Sequence, residues 1–305
     1  MKCLKELDLD NNNLTSLDLS HSAELVYLSV YDNDLESIDL SACKNLQEVY
    51  LSKNALTELD LSGNSRLSVA SFTDNAVKRF DASTLTMLQY LYVTNNGMQE
   101  LVLDNKHLVE LVAGGNEFES IDLSSCESLG VAEFSKCKLS TIDVSNNSRL
   151  DWLFVGDNRL ESIILAENQH ELNLLHAENN KLTSVDFGRI PQVAELIVSG
   201  NMLSGEIDLS ACSLLTYLDL SYNSISSIKF INLLYEAPGQ PYDGALQYQW
   251  KHPRTKEWIN LGTPVRFGEA TNREIITVVK EVYNSSGSCR IDYRILTENG
   301  EVLQV

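Results

Sequence analysis

The sequence predicts a β-rich solenoid of about eleven coils followed by a small β-sandwich. Three observations carry this. A leucine and asparagine pattern recurs at a nearly fixed spacing of 21 residues along most of the chain. The second half of each unit is too short for a long helix, so it reads as a second extended segment. After Phe230 the repeat gives way to runs of strict alternation, which places a solenoid at 1–230 and a separate β domain at 231–305.

The clearest stretch is Leu46 to Arg66, where Leu46, Val49, Leu51 and Asn54 form one half-unit and Leu56, Leu59, Leu61 and Asn64 repeat its offsets. The opening position falls at Leu4, Leu25, Leu46, Leu67, Leu88, Leu108, Leu129, Leu150, Leu172, Val193 and Leu215, in steps of 20 to 22 residues. A fixed period of this size marks a stack of identical supersecondary units. The ninth position reads Asn in every unit except Cys137. A buried Asn there can bond backbone groups of its own and neighbouring coils, and Cys137 keeps the size while losing most of that bonding.

These motifs resemble the leucine-rich repeat family from residue 4 to about 230. The second halves, such as LTSLDLS (14–20), LTELDLS (56–62) and FESIDLS (118–124), are similar to the bacterial 21-residue class with nested half-repeats. The resemblance implies a right-handed solenoid with one parallel strand per coil on its concave face, in secreted or surface proteins. Leu59-Asp60-Leu61 then forms a second extended segment on the opposite face. Asp81-Ala82-Ser83 and Val102-Leu103-Asp104 weaken the second-half pattern, and the step after Leu88 is one residue short. Ile190-Pro191 and Ser204-Gly205 mark altered return turns. A change of twist is expected near 100–107 and 189–205.

Cys43, Cys126 and Cys212 share one phase, four coils apart. At about 4.8 Å per coil they lie roughly 19 Å apart, beyond disulfide reach, so they read as small buried fillers. Asn64 holds the same position in its unit. Cys3 and Cys289 have no evident partner, and all six thiols are expected to be free. His170-Glu171 and His176 are spaced HExxxxH, not HExxH, and the repeat phase sends His170 to a return turn and His176 to the strand face. No metal site is assigned to them. Asp18, Asp39, Asp60, Asp81, Asp122, Asp143, Asp186 and Asp208 form an outward column, read as a solvated face.

On the concave face the third and fifth positions point away from the core. The third reads Glu6, Tyr27, Glu48, Val69, Tyr90, Glu110, Val131, Trp152, Leu174, Glu195, Tyr217 and the fifth reads Asp8, Ser29, Tyr50, Ser71, Tyr92, Val112, Glu133, Phe154, His176, Ile197, Asp219. An aromatic and aliphatic middle bracketed by acids suggests recognition, because tyrosine and tryptophan give large contact area at low entropy cost. Tyr27, Tyr50, Tyr90, Tyr92, Val131, Trp152, Phe154 and Leu174 are the candidate partner-binding residues.

In 231–305, ALQYQWK (245–251) and CRIDYRIL (289–296) alternate, EIITVVKEVY (274–283) is β-branched, and Asn299-Gly300 signals a hairpin. Short runs at 231–235, 257–261 and 264–267 bring the tally to about seven strands. Tyr248-x-Trp250 resembles the central strand of bacterial immunoglobulin-like domains, without an inter-sheet disulfide. Phe230, Ile231, Leu233 and Leu234 are expected to cover the last coil. Leu4, Leu7 and Leu9 lack such cover, so a natural chain extending upstream is expected.

The net charge is −20, and residues 1–230 hold 15 Lys and Arg against 34 Asp and Glu. Such a surface repels phosphate backbones and anionic membranes, and no apolar run is long enough to span a bilayer. No nucleophile–base set, P-loop or zinc motif is present in the sequence, and no cofactor is expected. The expected function is therefore non-enzymatic binding of a protein, peptide or glycan ligand at the cell surface or outside the cell. The alternative is a structural adhesin or stalk in which the β-sandwich makes the contacts.

Overall fold

The computed structural model describes residues 3–230 and the strands Ala245–Lys251, Trp258–Arg266, Glu281–Asn284, Gly287–Arg290, Tyr293–Leu296 and Val302–Leu303. It divides into two compact units, Met1–Leu172 and Asn173–Val305.

The first unit carries one three-residue strand per coil: Glu6–Asp8, Tyr27–Ser29, Glu48–Tyr50, Val69–Ser71, Tyr90–Tyr92, Glu110–Val112, Val131–Glu133 and Trp152–Phe154. These are the third to fifth positions of the repeat. All pair in parallel and in register, so that Leu28, Val49, Ala70, Leu91, Leu111, Ala132 and Leu153 stack through the middle of the sheet. Those middle side chains are fully buried. In the third coil Leu46, Val49, Leu51, Leu56 and Leu61 are all buried, each such side chain contributing about 1.5–3 kcal/mol.

Two backbone devices close each coil. The residue before the ninth position has positive φ in every coil, from Asn11 through Lys53, Gly115 and Lys136 to Tyr222. The ninth-position Asn then knits the turn together. Asn54 Nδ2 donates to Val30 O of the preceding coil and to Leu51 O of its own, while its Oδ1 accepts the Leu35 amide. Cys137 holds the same place with only weak thiol contacts, 3.7 Å to Ala113 O and 3.8 Å to Ser135 O.

A second column lies at the other inner corner. Cys43 and Cys126 are buried there as expected, and where an amide replaces them it bonds the coil before it. Asn64 Nδ2 donates to Leu40 O and Cys43 O, and Asn147 Nδ2 to Leu123 O and Cys126 O. The five cysteines whose side chains are described are unpaired.

The second extended segment is less regular than the repeat suggests. In the first unit it forms a ladder only at Arg79–Asp81 with Glu100–Val102 and at Thr141–Asp143 with Ser162–Ile164. Residues 59–61 are not in a strand. Phe80 and Ile142 point inward at the centre of these ladders, and at the first of them Arg79 and Glu100 add a cross-coil ion pair at 3.1 Å. The weakened motif at Asp81 and Val102 thus hosts a strand pair. The one-residue shortening falls after it, between Val102 and Asn105: Phe80 still pairs with Leu101, whereas Asn105 bonds Leu85 O twenty residues back.

In the second unit Leu174–His176, Glu195–Ile197 and Tyr217–Asp219 follow the same parallel pattern, with Leu175, Leu196 and Leu218 in register. The return turn before Pro191 is a 3-10 turn at Phe187–Arg189. The next return is the strand Ser204–Leu209, bulged between Gly205 and Glu206, which pairs with Ser224–Phe230. Both alterations fall where Pro191 and Gly205 mark them.

Beyond Phe230, Ala245–Lys251 pairs antiparallel with Trp258–Arg266 on one side and with Tyr293–Leu296 on the other. Trp258–Arg266 is one nine-residue strand where two short runs were expected. Tyr293–Leu296 pairs antiparallel with Val302–Leu303 on either side of Asn299-Gly300, in a register one residue off that of a two-residue turn at that dipeptide. Glu281–Asn284 and Gly287–Arg290 form an antiparallel pair, and Val282 lies parallel to Leu218. The run expected at 231–235 and most of the one at 274–283 lie outside the described residues.

Candidate ligand-binding face

Alternation along each three-residue strand turns the first and last side chains away from the core. In the first unit this sets Tyr27, Tyr50, Tyr90, Tyr92, Val131, Trp152 and Phe154 on one side of one sheet. Two groups of them touch. Tyr27 and Tyr50 pack with ring centroids 5.6 Å apart, on neighbouring strands. Trp152 and Phe154, two apart on one strand, meet edge to face at 6.5 Å and 84°. Trp152 keeps 44% of its surface exposed, and register places it beside Val131. Tyr90 and Tyr92 stand half-buried two strands beyond Tyr50.

The acids on this face do different things. Tyr50 Oη donates to Glu48 Oε2 at 3.0 Å. Burial first, and then that carboxylate, push the Tyr50 phenol up to about 12. Tyr92 is also raised, by burial and then by the Glu110 carboxylate. Glu133 is fully engaged by backbone: Oε2 accepts the Gly114 amide and Oε1 the Ser135 amide, both at 2.8 Å. With Glu133 so engaged, the carboxylates that lie beside the tyrosines are Glu48 and Glu110. None of these three roles is visible in the repeat pattern, which gives direction and depth but not which acid bonds which donor.

Leu174, the eighth candidate residue, lies on the strand Leu174–His176 of the second unit. There it is in register with Glu195, whose Oε1 lies 2.8 Å from His176 Nε2. His176 is thus on the strand face and His170 in a turn, as the repeat phase places them. Among the described residues no three His, Cys, Asp or Glu side chains come together as a metal site, and no helix is long and apolar enough to cross a membrane. Among the described residues each unit includes an open recess of about 410 Å³. That of the first unit is lined by Glu127, Asn146 and Arg149, and that of the second by Asp186, Glu206 and Asp208.

The Leucine Rich Repeat family model matches residues 3–23 and 214–234, at opposite ends of the coil array. The chain has the leucine-rich repeat fold. No curated protein sequence matches it. Among solved structures, this repeat protein is similar to a leucine-rich repeat protein of Leptospira interrogans, at 22% identity over 75% of this chain and 69% of that one, with a TM-score of 0.55. It is similar to YopM of Yersinia enterocolitica at 26% identity over 74% of this chain and 52% of that one, TM-score 0.56. The plant peptide hormone receptor RGFR1, solved in complex with RGF2, is 21% identical over 74% of this chain and 45% of that one, TM-score 0.57.

Proposed function

We propose that this repeat protein is a non-enzymatic binding protein whose strand face takes a protein, peptide or glycan ligand, at the cell surface or outside the cell. The observation that carries the reading is Trp152, exposed at 44% and braced edge to face by Phe154. A large apolar side chain held open on a sheet has no stabilising role there that burial would not serve better, whereas such anchors dominate binding interfaces. A plant peptide hormone receptor solved in complex with RGF2 shares the fold, which keeps a peptide among the ligand classes. Tyr27, Tyr50, Tyr90, Tyr92, Val131 and Phe154 extend the same face, and Leu174 is assigned to it in the second unit. Residues 231–305 are assigned as a small immunoglobulin-like β-sandwich serving as a spacer, supported by the antiparallel pairing of Ala245–Lys251 on both sides.

The test is a screen of the full chain against peptide and glycan arrays and secreted proteins, followed by substitution. Trp152→Ala should cost about 2 kcal/mol or more of binding energy as a hot spot. Asp60→Asn with Asp143→Asn, on the column away from the strand face, should leave affinity unchanged. Binding that survives Trp152→Ala with Tyr92→Ala and is lost only on changes in 231–305 would favour the stalk instead.

A further inference from the structure

The strand face is one-sided in charge. In the first unit its sixteen outward positions include five Asp and Glu and not one Lys or Arg. Two of those acids pair with tyrosines across a narrow gap. Glu48 accepts the Tyr50 hydroxyl on one strand, and Glu110 stands beside Tyr92. Between Tyr50 and Tyr92 lies the strand Val69–Ser71, whose outward residues are small. Ser71 turns its Oγ to Ser52 Oγ at 2.8 Å, and so short a side chain does not fill the space between the two rings. Among the described residues neither Glu48 nor Glu110 has a lysine or arginine partner.

The dimensions of this slot select its occupant. Strands two steps apart are separated by about 10 Å, so a group midway lies about 5 Å from each phenol ring. That is inside the roughly 6 Å within which a cation is attracted to an aromatic face. The chain already makes one such contact nearby, with Lys53 Nζ 4.9 Å from the Tyr31 ring centroid. A planar guanidinium has the thickness to stack between two rings, and Glu48, on the strand of Tyr50, and Glu110, one strand beyond Tyr92, add negative charge outside either ring.

We propose that the slot formed by Tyr50, Ser71 and Tyr92, flanked by Glu48 and Glu110, takes an arginine or lysine side chain from an extended segment of a peptide or protein partner. This rests on the reading that the strand face binds the partner. It adds a spacing rule. The slot is centred on the fourth coil and Trp152 on the eighth, four strand steps or roughly 19 Å away. An extended chain covers that in about six residues. The segment therefore carries a basic residue and a large apolar residue about six positions apart.

The experiment is selection of a random peptide library on the immobilised full chain, with affinities then measured for the best peptides. Three proteins are compared: the parent, Glu48→Gln with Glu110→Gln, and Asp60→Asn with Asp143→Asn. Both variants remove two negative charges, so general attraction to an acidic surface is matched. The expected result is enrichment of Arg or Lys about six positions from an aromatic or aliphatic residue. Affinity should fall about ten-fold on the Glu48/Glu110 variant, as for loss of a charge-assisted contact, and stay unchanged on the Asp60/Asp143 variant. Basic peptides that lose affinity equally on both variants overturn the slot, as does a failure to enrich any peptide. Enrichment of peptides without basic residues also overturns it. In that case sensitivity to Trp152→Ala keeps the strand face as the binding site, and insensitivity to Trp152→Ala and Tyr92→Ala removes that reading too.

Discussion

Glu133 Oε2 accepts the amide of Gly114, one coil before it, at 2.8 Å, and a Cβ at position 114 would collide with that same oxygen. The missing side chain at Gly114 leaves room for the carboxylate. A free glutamate could swing aside at little cost, but this one is held at its other oxygen by the Ser135 amide. Gly114→Ala should therefore displace the carboxylate and cost about 1–3 kcal/mol through the bonds lost. Gly130→Ala is the control, since a Cβ there would come no nearer than 3.6 Å to Val109 O. It should be neutral or slightly stabilising. Urea melts of the two variants decide, and equal effects would refute the coupling.

The two amide columns should differ in worth. Asn54 makes three contacts through Nδ2 and accepts the Leu35 amide through Oδ1. Asn64 makes two through Nδ2, and its buried Oδ1 has no partner. Asn54→Ala strands a backbone N–H that Asn64→Ala does not, a difference of about 1 kcal/mol or more. The order of urea midpoints checks this, and a reversed order would show that the second corner matters more.

Cys137 is the converse case. Its thiol sits over Ala113 O and Ser135 O at distances too long for strong bonds, in the place where Asn158 in the next coil makes four contacts. Cys137→Asn, nearly equal in volume, should raise stability by about 1–2 kcal/mol. Burial pushes the Cys137 thiol up to about 11, so in the native protein at pH 8 it should resist alkylation while exposed Cys3 reacts. Mass mapping after a timed alkylation reads the second outcome directly.

The period of the sequence makes the strand positions legible to the residue, because one inward leucine per alternation leaves no freedom of register. Asn54 and Cys43 are legible for the same reason: a position that repeats and is buried has one set of neighbours. The left-handed residue before each ninth position is also written in the chain, as Asn, Asp or Gly at most of these sites, but Lys53, Lys136 and Tyr222 blur the signal. The roles of Glu48, Glu110 and Glu133 are not legible. All three occupy outward positions, and whether each bonds within its own coil, as Glu48 does with Tyr50, or across coils, as Glu133 does with Gly114, is not encoded in the periodicity. The second strand expected at residues 59–61 does not form, and Ile38 and Ile121 are outside strands although Ile142 at the same repeat position is in one, so the short motif alone does not select where a ladder forms.

The Asp column has a job beyond being solvated, and it sets the last expectation. Asp18, Asp39, Asp60 and Asp122 each accept the amide of the serine two residues on, at 2.8–2.9 Å, closing the return turn. That serine, through its hydroxyl and its amide, holds Asp39, Asp60, Asp81 and Asp122 below the ordinary carboxylate value, and for Asp18 the Ser20 amide leads. Asp208 is lowered to about 2, first by Lys229 and then by Ser210. A folded-state value below the unfolded one means that the contribution is fully present at neutral pH and is lost as pH falls through the folded value. Stability should therefore decline from about pH 5 to about pH 2, where the carboxylates take up protons and the turns lose their charged acceptors. Replacing Asp18, Asp39, Asp60 and Asp122 together by Asn keeps an acceptor at each turn but removes the titration. The variant should be less stable at pH 7 and show a shallower acid slope in urea midpoints. An unchanged slope would mean that the acid sensitivity resides outside these four turns.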